Sequence, residues 1–258
     1  MKHYRSSIPK EAQERVTATF VASPRKYRAE CVLSGKVVGI RHFHETGELE
    51  DECPLADGLI HGTEYRSDSP GHLTSAEPYY KGLPHGTARQ WSHDGKLIGT
   101  YIMKHGTGLD LWWQEGLDNG QPYLSEARYY KDGKRHGFEW WLNEDQKSVW
   151  EESHFQADRS HGIERSWNCH GRLCRGCPKY WVNDVRVTKR QYLRACAKDP
   201  TLPPFREADN RPQRKFPKEV MVRLQRKGIG GKDRRRYNPS TVDGSGPVIS
   251  RSFSNRLS

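Results

Sequence analysis

Small residues return along the middle of this chain at a nearly fixed distance, and that recurrence limits the fold more than any other feature. His-Gly occurs at 61–62, 85–86, 105–106, 136–137 and 161–162, in steps of 24, 20, 31 and 25 residues. Gly39, 23 residues before Gly62, reads as an earlier copy without its histidine. A second glycine follows at almost constant distance, from Gly39 to Gly47, Gly62 to Gly71, Gly86 to Gly95 and Gly162 to Gly171. Leu49, Leu73, Leu97 and Leu173 stand two residues past it. Glycines fixed at two points of a unit imply backbone positions that need positive φ or close approach, as tight hairpin turns do. "HDGK" at His93–Lys96 and "KDGK" at Lys131–Lys134 carry the Asp-Gly signal of such turns. The stretch between glycines has the length of a strand and is too short for a helix. Each unit therefore reads as a β-hairpin, and because a lone hairpin cannot bury its rings, the units must stack.

The expected fold is all-β, an elongated antiparallel sheet of stacked hairpin repeats over 16–187. Phe43, Tyr65, Trp91, Trp140, Trp141 and Trp167 lie between the glycines, with Tyr79-Tyr80, Tyr101, Tyr129-Tyr130 and Phe155 later in each unit. Two units are irregular. The one opening at Gly106 offers two turns, Gly116 and Gly120, and predicts an enlarged loop. The one opening at Gly137 has Gln146 where its second glycine belongs, within a turn "NEDQ".

The aromatic strand, the x-x-G-x-L turn and the Y-Y-x-x-G-x-x-H-G junction resemble the MORN repeat family, its variant branch most closely, over about residues 36–182. The resemblance implies an interaction module. Some members are linked to phospholipid surfaces, and many bacterial variant-repeat proteins carry an antitoxin-like label.

Outside the repeats, residues 1–15 read as a flexible lead-in, and 16–38 as one or two further strands broken at Ser23-Pro24 and Ser34-Gly35. Residues 188–228 read as short helices that cap the open edge of the sheet. Thr188-x-x-Gln191 is a capping box for the first, with Tyr192, Leu193 and Cys196 on one face. Pro217 to Lys227 suits the second, with Val220, Met221 and Leu224 as its apolar face. Residues 229–258 have little to bury and read as a disordered basic tail.

Charge divides unevenly. Residues 206–258 hold 14 Lys/Arg against 5 Asp/Glu, a net of +9, whereas 1–205 hold 29 against 27. Nucleic acid, including "KDRRRY" at Lys232–Tyr237, is thus one candidate partner through 206–258; the alternative is a solvated tail. No apolar run reaches a membrane span and the opening residues do not form a signal peptide, so a cytoplasmic location is expected. The six cysteines lack the pattern of a disulfide scaffold and read as reduced thiols.

Catalytic signatures are absent: no G-x-S-x-G, H-E-x-x-H or phosphate-cradling G-x-x-x-x-G-K occurs. The acidic runs Glu48–Glu52 and Glu151-Glu152 read as solvated faces. The repeat histidines, one per unit and about 10 Å apart at two strands per unit, fall outside any ligand cage. "CHGRLCRGC" at Cys169–Cys177 offers thiols and His170 but lacks a second CxxC, and its cysteines read as ordinary strand positions. No metal or cofactor is expected. Trp112-Trp113 and Trp140-Trp141 put one ring on each face of the sheet, and a single-layer stack leaves one face partly open. Trp112, Trp113, Trp140, Trp141 and Tyr129 are therefore the candidate contacts for a protein partner, the bland alternative being rings that only cover neighbouring strands. A non-enzymatic interaction or scaffold protein is the expected function.

Overall fold

The computed structural model describes residues 3–20, 23–116 and 120–224. Strands β1 (Gln13–Phe20), β2 (Ser23–Leu33), β3 (Lys36–Phe43), β4 (Leu49–Ala56), β5 (Leu59–Ile60), β6 (Gly62–Ser69), β7 (His72–Tyr80), β8 (Leu83–Pro84) and β9 (Gly86–Trp91) come first. They are followed by β10 (Leu97–Lys104), β11 (Thr107–Glu115), β12 (Pro122–Lys131), β13 (Lys134–Leu142), β14 (Val149–Gln156), β15 (Arg159–Ser160), β16 (Gly162–Ser166), β17 (Lys179–Val182) and β18 (Val185–Val187). Together they form one long antiparallel sheet of 18 strands in which each hairpin pairs with the next. Helices α1 (Lys189–Cys196) and α2 (Lys218–Leu224) follow. The all-β hairpin stack expected from the glycine spacing is the fold. The expected tail at 229–258 lies outside the described residues.

One edge of the sheet is built from two-residue reversals with both residues at positive φ: Ser34-Gly35, Asp57-Gly58, Lys81-Gly82, His105-Gly106, Asp132-Gly133, Ala157-Asp158 and Asn183-Asp184. This is the turn whose twist matches paired strands. The reversals bond to one another in series. Gly82 N–H donates to Ile60 O at 2.8 Å, Gly106 to Pro84 O at 2.8 Å and Gly133 to Gly106 O at 3.0 Å. Asp158 N–H donates to Arg135 O at 3.0 Å and Asp184 to Ser160 O at 2.9 Å.

The structure moves five of the expected turn glycines. Gly39, Gly62, Gly86, Gly137 and Gly162 stand four residues past the reversals, and of these Gly62, Gly86 and Gly162 open a strand just after a break. Gly62, Gly86, Gly137 and Gly162 keep positive φ, and at three of them neighbours also press: a Cβ on Gly62 would meet Ser7 and Pro54, one on Gly86 would meet Pro78, and one on Gly162 would meet His154. Gly106 alone is a true reversal, so the break position of its unit passes to Gly108 (φ +154°). Counted through Gly108, the uneven steps of 20 and 31 become 22 and 29. The surplus lies in the strands, β11 with 9 residues and β12 with 10. The expected enlarged loop is not found, since the connection between Glu115 and Pro122 is no longer than that between Leu142 and Val149.

On the opposite edge Gly47, Gly71, Gly95 and Gly171 are turn glycines with φ between +70° and +84°. Gln146 takes the same left-handed conformation at φ +54°. Its amide also pairs with the backbone of β12, accepting from Leu124 N–H at 3.0 Å and donating to Leu124 O at 3.1 Å.

A segment before the hairpins and one after them fold back over the sheet. The opening segment is packed rather than loose: Ile8 is buried, Tyr65 donates to Arg5 O at 2.9 Å, and Thr63 N–H donates to Ser7 Oγ at 3.3 Å. At the other end, Trp167 donates its indole N–H to Asn210 O at 2.8 Å and Phe216 meets Trp140 edge-on at 5.7 Å. Val220, Met221 and Leu224 of α2 join the same core, as their spacing predicted. The capping box of α1 is formed, but the helix packs on β17 with Tyr192 buried while Leu193 is exposed. The last edge is left to the three residues of β18, which limits templating by being short.

Between β10 and β11 the ladder pairs only at its turn end, at Met103–Gly108 and Lys104–Thr107. Gln90 of β9 fills the gap, donating to Leu111 O at 3.1 Å and accepting from Trp113 N–H at 2.8 Å. The Trp113 ring occupies the space a side chain at Gly99 would need. Gly99→Ala is expected to lower stability by about 1–3 kcal/mol through overpacking. Gly95→Ala, whose Cβ would meet nothing, costs only the left-handed penalty of roughly 1–2 kcal/mol. Urea unfolding of the two variants checks the difference, and a tolerant Gly99→Ala would remove Trp113 as the reason for that glycine.

Candidate functional site

Alternation along paired strands sorts the side chains into two faces. On one, Arg41, Glu52, Tyr65 and Ala76 stand opposite one another across successive strands, and farther along so do Leu111, Ala127, Trp140, Glu152 and Arg165. The two covering segments lie here. Each is tied to a carboxylate with almost no exposure, Glu52 at 0% and Glu152 at 1%. Glu52 accepts from Tyr4 Oη at 2.6 Å and from Arg41 Nε at 2.8 Å. Glu152 accepts from Arg165 at 2.7 Å and Trp140 Nε1 at 2.6 Å, and pairs with Arg214. Burial first and the Glu52 hydrogen bond second push the Tyr4 hydroxyl up to about 12, so it stays a donor. The expectation that Glu48–Glu52 and Glu151-Glu152 are merely solvated fails at Glu52 and Glu152, because a cross-strand arginine and a covering segment close over each.

This covering decides the fate of the predicted aromatic contacts. Trp140 is only 3% exposed, stacked on Phe138 at 5.3 Å and capped by Phe216, so it is core and not a contact surface. Tyr129 is half-buried against the same core. Trp112 and Trp113 are half-buried, Trp113 filling the notch at Gly99. Trp141 lies on the other face, 5.4 Å from the ring of Trp150, with the Arg128 guanidinium 5.5 Å from its centroid. Trp150, which the pairing of adjacent tryptophans did not point to, is 40% exposed. It sits at a register shift between β13 and β14, where Leu142 pairs with Val149 and Trp141 with Glu151. A strand irregularity of that kind leaves no mark in residue spacing.

The Trp141 face is lined by charge. Glu126 stands across from Trp141, Arg128 pairs with Glu126 and reaches Glu139 at 3.4 Å, and Lys179 holds Glu164 at 2.5 Å. Burial raises the Glu151 carboxyl, reinforced by Glu164. In the first half Glu64 and Arg66 pair at 3.1 Å, and Glu77 accepts from Tyr79 at 3.2 Å and from Tyr101. Burial raises Glu64 as well.

The repeat histidines are closer than equal spacing allowed. His85 and His105 rings are 4.2 Å apart, because His105 belongs to a reversal while His85 sits in a strand break, and both pack near Tyr80. His85 Nδ1 accepts from His105 N–H at 3.2 Å, and His161 Nδ1 accepts from Asn183 N–H at 3.2 Å. Each ring thus ties its strand break to the next reversal. Cys169, Cys174 and Cys177 fall in turns around the isolated Trp167–Leu173 bridge rather than at strand positions, and all six cysteines are free thiols.

No protein-family model matches the chain, and no curated protein matches it. No helix among the described residues is long and apolar enough to cross a membrane.

Acid should loosen this assembly through His154, which donates Nδ1–H to His161 O at 2.5 Å. Burial holds its pKa below the ordinary histidine value. A depressed folded pKa contributes stability above the unfolded value, about 6.5, and loses it as pH falls through the folded one. His72 works in the opposite sense, since its raised pKa favours the folded state at low pH. Denaturant midpoints between about pH 6.5 and pH 5 are expected to fall in the native chain and to fall less in His154→Gln; equal slopes would remove His154 as the sensitive group.

Proposed function

We propose that this chain is a non-enzymatic interaction scaffold, and that its contact surface is the face carrying Trp141 and Trp150 rather than the Trp140 face. The observation that carries the reading is the ring pair itself: a 40%-exposed indole packed on a second indole beside an arginine, with acidic side chains around it. An exposed tryptophan is the kind of anchor that protein partners favour, and the buried Arg128–Glu126 pair holds Trp141 in place beside it. The resemblance to variant MORN repeats supports the same class of function, with a protein as the partner and an antitoxin-like or phospholipid-linked role as its narrower forms. Cytoplasmic location belongs to the same proposal.

A second reading rests on charge. Arg214 is engaged with Glu152, whereas Arg206, Arg211, Lys215 and Lys218 are exposed, so polyanion binding would draw on these together with the eight Lys/Arg of 225–258 against Asp233 and Asp243. Affinity from that source is salt-dependent.

Trp150→Ala is expected to leave the unfolding midpoint near the native value and to abolish capture of the partner recovered from lysate by the native chain. Trp140→Ala is expected to destabilise by about 3–5 kcal/mol as a core truncation. Deletion of 225–258 should leave capture intact while weakening salt-sensitive nucleic-acid binding. Capture by Trp150→Ala at the native level would overturn the assignment of the surface.

A further inference from the structure

The second-glycine edge brings together residues from two consecutive units. Asp68 and His72 flank the reversal between β6 and β7, and His93 lies in the turn between β9 and β10. One ligand atom from each of the three lies within 4.8 Å of the others, and the two imidazole rings are 4.2 Å apart. His72 Nδ1 is 2.8 Å from Asp68 Oδ1, and its Nε2 is 3.1 Å from Ser92 O. Both ring nitrogens of His72 thus face oxygen atoms, one of a carboxylate and one of a backbone carbonyl.

We propose that Asp68, His72 and His93 form a binding site for a divalent transition-metal cation of the zinc class. Two imidazoles and one carboxylate with water in the fourth position suit zinc, at bond lengths of about 2.0–2.2 Å. Ligand atoms around such an ion stand roughly 3.2–3.5 Å apart. The 2.8 Å pair must open slightly and the third ligand close in, movements available to side chains on turns. His72 presents Nδ1 to the cation and keeps Nε2–H on the Ser92 carbonyl, the second hydrogen bond that fixes the orientation of metal-bound histidines. The cation takes the place of the proton between His72 and Asp68, and that proton leaves to solvent. Because Ser92 precedes His93, the carbonyl that orients one ligand belongs to the turn that supplies another. The bound ion joins the turns of two successive hairpins.

The test is titration of the full chain with zinc chloride near neutral pH, by calorimetry in two buffers of different ionisation enthalpy, with cobalt(II) spectra alongside. The second background carries Cys169→Ser, Cys174→Ser and Cys177→Ser, because those thiols are the competing ligands in this molecule. The proposal expects one site retained in that background, release of about one proton per ion, and a cobalt spectrum without thiolate charge transfer. It also expects at least about 10-fold weaker binding in His93→Ala and in Asp68→Asn. His93 is exposed, so its variant keeps the fold for comparison. Unchanged affinity in His93→Ala, binding lost with the cysteines, or no zinc binding at all would overturn the proposal.

Discussion

Two carboxylates without access to water hold this molecule together. A stack of hairpins one layer thick has no second layer to bury its rings, and the chain supplies one from the segments that flank the hairpins. Glu52 fixes the leading segment through Tyr4, and Glu152 fixes the trailing segment through Arg214. Each carboxylate is also gripped by an arginine on a paired strand, Arg41 or Arg165. A buried charge stripped of a partner costs about 3–5 kcal/mol. The covering segments are therefore held by the penalty of leaving these groups unpaired as much as by apolar contact. Which face remains available to a partner follows from where these two residues stand.

The same constraint explains why the tryptophans divide as they do. Trp140 shares a face with Glu152, spends its indole N–H on that carboxylate, and disappears beneath Phe216. Trp141, one residue later, points to the other face and meets Trp150 and Arg128. Adjacent residues thus receive opposite roles, one structural and one on the proposed contact surface.

Glycine spacing made the hairpin architecture legible, because positive φ and close approach are local demands that leave local marks. The helix face Val220, Met221 and Leu224 was legible for the same reason, as was the turn role of Gln146. Spacing does not separate a glycine that reverses the chain from one at a strand break, and Gly62, Gly86 and Gly162 are of the second kind, kept small by positive φ together with Pro54, Pro78 and His154. Contacts that join distant segments left no mark at all. Tyr4 lies 48 residues from Glu52 and Arg214 lies 62 from Glu152. Asp68, His72 and His93 meet only because β7 pairs with β9, which brings the turns at the ends of two hairpins together.

The backbone-to-backbone hydrogen bonds between the described successive reversals run one way, each later turn giving its N–H to backbone of an earlier unit, while the Asp158 and Asp184 carboxylates accept N–H groups of the earlier units in return. A chain emerging from its amino end would find each of those backbone acceptors already in place before the matching donor arrived. The array has a grain, and whole units added toward the carboxyl end would meet a prepared template, whereas units inserted ahead of the first would have to be read against it.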